Sequence, residues 1–296
     1  MSLAGTLRFI LGHPLNDGAK AEALRRYLGW QIRSRAFPGP VIIPFVNGSR
    51  LVARRGRPSS TGNLYTRLHE FPEMGFVLHA LAEGDLFLDV GANIGAYSIL
   101  AASLQGTQCI AFEPASDTYQ LLVENVALND YGSKITTHRM AIGDEHGEVL
   151  LTASLDTVNH IVSASDDVVP REFVSLRRLD EVLGDQRAAI MKIDVEGYEM
   201  PVIRGAEKTL RHDALLAVVL EMNGSGERYG MDEGQLDGML VRHGFTALSY
   251  DPFTRRLISL PEVNPSGNRI YVRNRDKLQE RLQAAAPFTI PGGRRI

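Results

Sequence analysis

Residues 89–95 read DVGANIG, and they lie between the apolar run at residues 86–88 and the segment YSILAA at residues 97–102. An apolar run followed by glycines and then by helix-forming residues predicts a buried strand that turns tightly into a helix. At such a turn, backbone N–H groups can approach a ligand closely. The stretch therefore predicts a cradle for a cofactor.

An acidic residue ends the next predicted strand. Residues 107–112 are mostly apolar and are followed by Glu113. An acidic residue at this strand end is placed to hold two ribose hydroxyls. Asn93 stands where the dinucleotide fingerprint has its second glycine, which lets the backbone approach a pyrophosphate. The two residues therefore favour a nucleoside cofactor without a diphosphate over NAD or FAD.

The bulk composition is that of a soluble globular protein. Of the 296 residues, 44% are hydrophobic and 23% are charged, and the net charge is -3. A chain without a basic field is not expected to bind nucleic acid as its main partner. The one cysteine, Cys109, lies in an apolar segment, which excludes an internal disulfide and fits a cytoplasmic location. No apolar run approaches the roughly 18 residues of a membrane span, and no signal peptide is expected.

The chain alternates between strand and helix patterns in its central part. Strands are predicted at residues 86–90, 107–112, 134–141, 188–193, 214–221, 245–250 and 269–273, and helices at residues 70–82, 96–104, 116–128, 198–210 and 231–243. Near-continuous apolar strands in such an α/β alternation predict a mostly parallel sheet with helices on both faces.

The two ends of the chain do not follow this alternation. Residues 19–33 have helical periodicity, and Asn47-Gly48 between two apolar runs predicts a hairpin turn. Residues 57–62 have the composition of a linker. We therefore expect three parts, which are an N-terminal helix and hairpin appendage at residues 1–62, a central domain at residues 63–275, and a C-terminal helix and tail at residues 276–296. The last ten residues are expected to be loosely held.

Ionisable residues are concentrated at the ends of the predicted strands, where ligands bind in open α/β sheets. Asp194 and Glu196 follow the strand at residues 188–193, and Glu221 ends the next strand. Asp194 or Glu196 could position a cofactor, act as a general base or bind a metal ion, or they could cap the following helix. The histidines lack metal-site spacing. His160, which lies in an irregular segment, is the one histidine that we consider a candidate.

Together these motifs resemble those of the FkbM family of S-adenosylmethionine-dependent methyltransferases. The matching stretches are residues 83–97, 111–114 (AFEP), 141–144 (AIGD), 179–180 (LD) and 192–197 (KIDVEG). The order of strands and helices between these stretches is also similar. The resemblance covers approximately residues 63–274.

The resemblance implies a Rossmann-like, seven-stranded class I methyltransferase sheet with one antiparallel edge strand. It also implies that S-adenosylmethionine binds at the first three strand ends. The residues that it assigns to this cofactor are Asp89, Gly91, Asn93 and Gly95 around the methionine part, Glu113 at the ribose hydroxyls, and Met140 and Ala141 beside the adenine. Asp194 would face the reacting centre.

The resemblance further implies in-line methyl transfer to a hydroxyl of a sugar, a glycan or a secondary metabolite. Loss of the hydroxyl proton calls for a base or a bound cation. We expect the base to be Asp194 first, then Glu196 or His160, and we leave a divalent cation and a homodimer open. Residues 154–172, where the chain departs from the family pattern, are expected to contribute to the choice of acceptor.

Two other functions remain open at this point. The first is a nicotinamide-dependent oxidoreductase, which shares the strand, glycine turn and acidic residue, although Asn93 counts against it. The second is a non-catalytic Rossmann-like interaction protein that binds a partner through residues 19–57.

Overall fold

The computed structural model describes residues 3–152, 159–162, 170–260 and 267–296. Within these residues the strands are β1 (Val41–Pro44), β2 (Arg50–Ala53), β3 (Leu86–Val90), β4 (Gln108–Phe112), β5 (Ile135–His138), β6 (Ala141–Gly143), β7 (Gly147–Thr152), β8 (Arg171–Arg178), β9 (Ile190–Ile193), β10 (Ala217–Glu221), β11 (Thr246–Asp251), β12 (Arg256–Ile258) and β13 (Asn268–Val272). The α-helices are α1 (Leu3–Gly12), α2 (Lys20–Ala36), α3 (Pro58–Thr66), α4 (Phe71–Ala80), α5 (Ala96–Ala102), α6 (Ser116–Leu128), α7 (Leu179–Leu183), α8 (Glu199–Gly205), α9 (Glu207–Arg211), α10 (Glu233–Arg242) and α11 (Arg275–Ala284).

A mixed eight-stranded sheet forms the centre of the molecule. Its strand order is β12-β11-β13-β10-β9-β3-β4-β5. The five strands from β10 to β5 in this order are parallel to one another. The chain builds β3, β4 and β5 outward in one direction and then resumes on the other side of β3 with β9. This reversal opens a crevice at the carboxyl ends of β3 and β9, which is where ligands bind in open α/β sheets.

The sheet differs from the expected one in two respects. It has eight strands rather than the seven that the resemblance implies, because the chain turns after β11 and returns as β12, antiparallel to β11. The Asp251 carboxylate stabilises this turn by accepting hydrogen bonds from the Phe253 N–H at 3.0 Å and the Thr254 hydroxyl at 2.6 Å. In addition, the antiparallel strand β13 lies between β10 and β11 rather than at the edge. Because β13 lies between two strands, the backbone N–H and C=O groups on both of its edges have hydrogen-bond partners.

A second, three-stranded sheet in the order β6-β8-β7 has no counterpart in the sequence-based prediction. The strand predicted at residues 134–141 divides into β5, which stays in the main sheet, and the start of β6, which leaves it. β6 packs closely on α8, since a Cβ atom at Gly205 would lie 1.9 Å from the Gly143 carbonyl oxygen. A glycine at this end of α8 therefore permits the second sheet to pack against the main one.

Helices cover both faces of the main sheet. One face packs into a core that includes Phe87 and Val219, and the other packs into a core that includes Leu88 and Val218. This division follows from the alternation of side chains along each strand. None of the helices in the described ranges has the length and apolar character that a membrane crossing requires.

Both ends of the chain pack into the same core as Phe87. Trp30 of α2, and Phe288 and Ile290 near the C-terminus, are buried there. The Phe288 N–H donates to the Ile296 carbonyl oxygen at 3.0 Å. The expectation that the last ten residues are loosely held is therefore wrong, because two of their side chains contribute to the core.

Residues 57–62, which have the composition of a linker, form the start of α3 instead. Pro58 opens this helix, where a residue without a backbone N–H loses no hydrogen bond. The Ser60 and Thr61 hydroxyls donate to the Arg57 carbonyl oxygen at 3.0 and 3.4 Å. The division expected after residue 62 falls within this helix.

Asn125 of α6 connects the N-terminal hairpin to the glycine turn. Its side chain is buried, and its amide N–H donates to the Ile94 carbonyl oxygen at 2.9 Å. Its amide oxygen accepts from the Val52 N–H of β2 at 2.8 Å. One side chain therefore satisfies buried backbone groups of both segments.

We expect Asn125→Ala to lower the free energy of unfolding by about 2–4 kcal/mol, because each buried backbone group that loses its partner costs about 1–3 kcal/mol. Asn129→Ala is the matched control, since Asn129 bonds Arg50 of the same hairpin near the surface, and we expect a loss below about 1 kcal/mol there. Urea unfolding measures both values. Equal losses in the two variants would contradict this role of Asn125.

Candidate active site

The carboxyl ends of β3, β4, β9 and β10 open into a cavity of about 630 Å³. Nine of the ten predicted site residues line it, which are Asp89, Gly91, Asn93, Glu113, Met140, Ala141, His160, Asp194 and Glu196. Gly95 is not among the lining residues. The fold thus brings residues from five separated stretches of sequence to one cavity.

The glycine turn uses all of its backbone N–H groups, from Gly91 to Gly95, within the protein. The acceptors are the Phe112 carbonyl oxygen for Gly91 and Ala92, the Glu113 carboxylate for Asn93, the Asn93 amide oxygen for Ile94, and the Ala92 carbonyl oxygen for Gly95, at 2.8–3.0 Å. These five groups are therefore not available to a ligand, contrary to the sequence-based expectation. A pyrophosphate would lack the donors that it finds in a dinucleotide-binding turn.

The two glycines of the turn serve different contacts. Gly91 has a φ of +82°, and a Cβ atom there would lie 1.8 Å from the Asp194 carbonyl oxygen. Only glycine therefore permits this approach of the segment after β9 to the end of β3. Gly95 also has a φ of +82°, but a Cβ atom there would lie 2.4 Å from a methyl group of Leu122. Its contact is thus with α6 rather than with the cavity.

Glu113 is only 7% exposed and is anchored by two backbone N–H groups. The Asn93 N–H donates to Oε2 at 2.8 Å, and the Ala115 N–H donates to Oε1 at 2.9 Å. Burial raises the pKa of Glu113 to about 7, while these two N–H groups oppose the shift. Each carboxylate oxygen keeps a further acceptor position. The group is therefore fixed in place and able to accept two hydrogen bonds from a diol.

Asp89 and Lys192 are neighbours in the parallel register of β3 and β9. The Asp89 carboxylate is buried and accepts a hydrogen bond from the Ser98 hydroxyl at 2.6 Å. Burial raises the pKa of Asp89, and Lys192 and Ser98 oppose this shift. Asp89 thus joins the end of β3 to the first turn of α5.

Lys192 is only 2% exposed and donates to the Asp194 carboxylate at 2.6 Å. Its ammonium also lies 4.8 Å from the centre of the Tyr97 ring, within range of a cation–π contact. Burial alone would lower the pKa of Lys192, but the carboxylates of Asp194, Glu70 and Asp89 outweigh burial and raise it. The ammonium therefore remains charged at the floor of the cavity.

Asp194, Glu196 and Glu221 form a carboxylate cluster at the ends of β9 and β10. Each offers an oxygen atom within 4.8 Å of the other two. Burial opposes ionisation of Asp194, but Lys192 and a hydrogen bond with Glu221 together outweigh burial and lower the pKa of Asp194. Burial and the charge of Asp194 raise the pKa of Glu196 to about 8 and that of Glu221 to about 10. Near neutral pH, Asp194 therefore carries the negative charge and Glu221 is protonated.

The carboxylate cluster has the ligand chemistry of a divalent-cation site, since Mg²⁺ and Ca²⁺ prefer carboxylate oxygens. The Lys192 ammonium already neutralises Asp194 from within the protein. A cation bound by all three carboxylates would have to compete with this ion pair for Asp194.

Met140, Ala141 and His160 line the cavity on the side of the second sheet. The backbone N–H of His160 donates to the Thr152 hydroxyl at 2.9 Å, which holds this segment beside β7. Of the segment expected to influence acceptor choice, only residues 159–162 and 170–172 are among the described residues. The remainder of that prediction lies outside them.

The sequence analysis missed a further part of the cavity wall. Tyr27 and Gln31 of α2 and Tyr65 of α3 line the cavity together with residues of the cradle. Glu70, which follows α3, also lines it and accepts a hydrogen bond from the Tyr97 hydroxyl at 2.6 Å. The available signal was the helical periodicity of residues 19–33, which does not indicate which side chains face a cavity.

Comparisons with known proteins give several matches. The Methyltransferase FkbM domain matches residues 89–247. Methyltransferase 1 of Beauveria bassiana is 26% identical over 165 residues, and the match covers 47% of this chain and 65% of that protein. The 31-O-demethyl-FK506 methyltransferase FkbM of Streptomyces tacrolimicus is 26% identical over 205 residues, which is 57% of this chain and 75% of that protein. Among solved structures, methyltransferase FkbM of Methylobacillus flagellatus KT has a TM-score of 0.43 and 17% identity, and the match covers 64% of this chain and 43% of that chain.

The domain match extends over more than half of the chain. It includes the glycine turn, Glu113 and the carboxylate cluster, and it confirms the resemblance that these motifs carry. The large mixed sheet with helices on both faces supports a class I methyltransferase fold. The chain therefore belongs to the FkbM family of methyltransferases.

Proposed function

We propose that this protein is an S-adenosylmethionine-dependent O-methyltransferase that acts on a hydroxyl of a sugar, a glycan or a secondary metabolite. The observation that carries the proposal is Glu113, a buried carboxylate that lines the cavity and is anchored by two backbone N–H groups. The similarity to the 31-O-demethyl-FK506 methyltransferase of Streptomyces tacrolimicus also supports transfer to oxygen.

The predicted cofactor-binding residues that line the cavity fit an adenosyl cofactor. Glu113 would hold the ribose hydroxyls, Met140 and Ala141 would lie beside the adenine, and Asp89 and Asn93 would border the methionine part. When bound, S-adenosylmethionine supplies a methyl group on a positively charged sulfur. The absence of free N–H groups at the glycine turn favours this cofactor, which has no phosphate, over a nicotinamide dinucleotide. The oxidoreductase alternative is accordingly less well supported.

Glu196 is the proposed base, in preference to Asp194. A general base works best when its pKa lies near the working pH, and that of Glu196 is about 8. Asp194, whose charge Lys192 stabilises, is a weaker base and would instead accept a hydrogen bond that orients the acceptor hydroxyl. Glu196 also has a φ of +54°, which is unusual for a residue other than glycine.

We expect Glu113→Ala to weaken the binding of S-adenosylhomocysteine by about 1–3 kcal/mol, because charge-assisted hydrogen bonds to the ribose are lost. Isothermal titration calorimetry measures the affinity. Glu280→Ala, which removes an exposed carboxylate of α11, is the matched control and should bind as the wild type does. Unchanged affinity in the Glu113 variant would disprove its assignment to the ribose.

The proposed base predicts a dependence of turnover on pH. With an acceptor found by screening hydroxylated sugars and metabolites, kcat should rise with pH, with its midpoint at about pH 8, and level off at higher pH, because Glu196 accepts a proton only when it is ionised. Glu196→Gln should lower kcat by about 10²–10⁴-fold and abolish this rise. Asp194→Asn should retain the rise and increase the KM for the acceptor. Retention of the rise in Glu196→Gln would contradict the assignment.

The Lys192–Asp194 ion pair predicts that a divalent cation is not required. Turnover should be unchanged after treatment with EDTA, because the ammonium compensates the charge of Asp194 in place of a bound ion. Turnover that is lost with EDTA and restored by Mg²⁺ would instead assign Asp194, Glu196 and Glu221 as metal ligands.

A further inference from the structure

Charge is distributed unevenly along the chain, although the net charge is only -3. Residues 1–62 contain ten Lys and Arg residues and two Asp and Glu residues, whereas residues 63–296 contain 22 and 33. The N-terminal helices and hairpin therefore carry a net charge of +8, and the rest of the chain carries -11. Such an asymmetry between parts of a chain indicates that the basic part has a polyanionic partner.

Helix α2 has apolar side chains on two opposite faces. On the side away from the interior, Leu28 is 54% exposed and Ile32 is 69% exposed. The solvent-facing side of a helix is normally polar. The other face packs into the protein and consists of the buried residues Ala23, Tyr27, Trp30 and Ser34. Core packing therefore explains one apolar face of α2 and leaves the other without a role.

Two arginines extend the exposed apolar face at both ends. Arg25 lies three residues before Leu28, and Arg35 lies three residues after Ile32, so that the four side chains share one side of α2. Both arginines are exposed, and neither forms an ion pair within the described ranges, since Arg35 donates to Gln31 of its own helix. We call Arg25, Leu28, Ile32 and Arg35 the docking stripe, which is about 15 Å long.

We propose that the docking stripe binds the surface of a membrane that contains anionic lipids. Guanidinium groups pair with lipid phosphates, while Leu28 and Ile32 enter the boundary between head groups and acyl chains. Phe37, which follows α2 and is 70% exposed, adds a third apolar side chain. The contact is made from one side of the bilayer and does not depend on the proposed function.

Two other occupants fit the docking stripe less well. Two-fold pairing of α2 helices in antiparallel orientation would bring Arg25 of one copy next to Arg35 of the other, and like charges disfavour this contact. A nucleic acid would pair with the arginines, but Leu28 and Ile32 between them would face a phosphate backbone without apolar surface. A lipid surface supplies both phosphates and apolar chains.

Helix α2 also forms a wall of the cavity, since Tyr27 and Gln31 line it. An α-helix with its side chains is about 10–12 Å across. Docking through the stripe would therefore hold this wall of the cavity about one helix diameter from the lipid head groups. The candidate active site would thus lie beside the membrane surface.

Co-sedimentation of the full chain with lipid vesicles tests the proposal. One set of vesicles contains phosphatidylcholine alone, and the other contains about 30% phosphatidylglycerol. Binding to the anionic vesicles should be at least about tenfold tighter, and it should weaken about tenfold when NaCl is raised from about 0.1 to about 0.5 M, because salt screens the attraction. Equal binding to both sets, or binding to neither, would overturn the proposal.

Two double variants test the position of the membrane contact. Leu28→Ser combined with Ile32→Ser removes the apolar part of the stripe, and Arg25→Gln combined with Arg35→Gln removes its charges. Each should lower binding to the anionic vesicles about tenfold or more. The circular dichroism spectrum and the affinity for S-adenosylhomocysteine should match those of the wild type, because the changed side chains are exposed.

Val241→Ser combined with Arg242→Gln is the matched control. Val241 is 53% exposed on α10, and the neighbouring Arg242 is also exposed. This variant should bind the anionic vesicles as the wild type does. An equal loss in the control, or unchanged vesicle binding in either variant of the stripe, would overturn the proposal.

Two further measurements identify the other occupants, namely sedimentation velocity and fluorescence anisotropy with a labelled DNA duplex. A dimer that ignores vesicles and dissociates in the Leu28→Ser and Ile32→Ser double variant would assign the stripe to a second copy. Duplex binding that is tighter than vesicle binding and is lost in the Arg25→Gln and Arg35→Gln double variant would assign it to nucleic acid. We expect neither result, and either one would overturn the proposal.

Discussion

The close approach of Gly91 to the Asp194 carbonyl oxygen is the contact on which the site depends. A Cβ atom at Gly91 would lie 1.8 Å from that oxygen, and the Asp194 N–H donates to the Val90 carbonyl oxygen at 2.9 Å. These two contacts join the end of β3 to the segment after β9 at the point where the strand order reverses. As a result, the cradle at Glu113 and the carboxylate cluster open into one cavity. Any side chain at residue 91 would separate them.

The second constraint is the burial of several carboxyl groups with one ammonium. Isolated charges are strongly disfavoured in such a setting unless they are paired or neutralised. The structure uses both solutions, since Lys192 pairs with Asp194 and burial keeps Glu221 protonated. Glu196 lies between these extremes, with a pKa of about 8. Burial thus raises the pKa of Glu196 into the range that suits the general base that we propose.

The sequence predicted the strands and the helix around the glycine turn well, because periodicity and glycine placement are local signals. β3 and α6 have the predicted bounds, and nine of ten predicted site residues line the cavity. Tertiary packing decided the features that were missed. The second sheet depends on the contact of β6 with Gly205, and the C-terminal residues are held because Phe288 finds a place in the core. Neither contact leaves a periodic pattern in the sequence.

The part of the cavity wall that Tyr27, Gln31 and Tyr65 form could not be predicted for a related reason. Tyr27 lies in a segment with ordinary helical periodicity, and Tyr65 lies where the sequence predicts no helix. Only the docking of α2 and α3 beside the strand ends brings these two residues to the cavity. The backbone N–H groups of the glycine turn illustrate the opposite case. Their pattern suggested free donors, but the Glu113 carboxylate and the Phe112 carbonyl oxygen accept three of them.

A crystal structure of the protein with S-adenosylhomocysteine would test the central claim most directly. The account predicts that both ribose hydroxyls donate to the Glu113 carboxylate, that the adenine lies beside Met140 and Ala141, and that the space next to Tyr27 and Tyr65 remains open. A ligand that fills the space next to Tyr27 and Tyr65, or whose ribose lies away from Glu113, would contradict it.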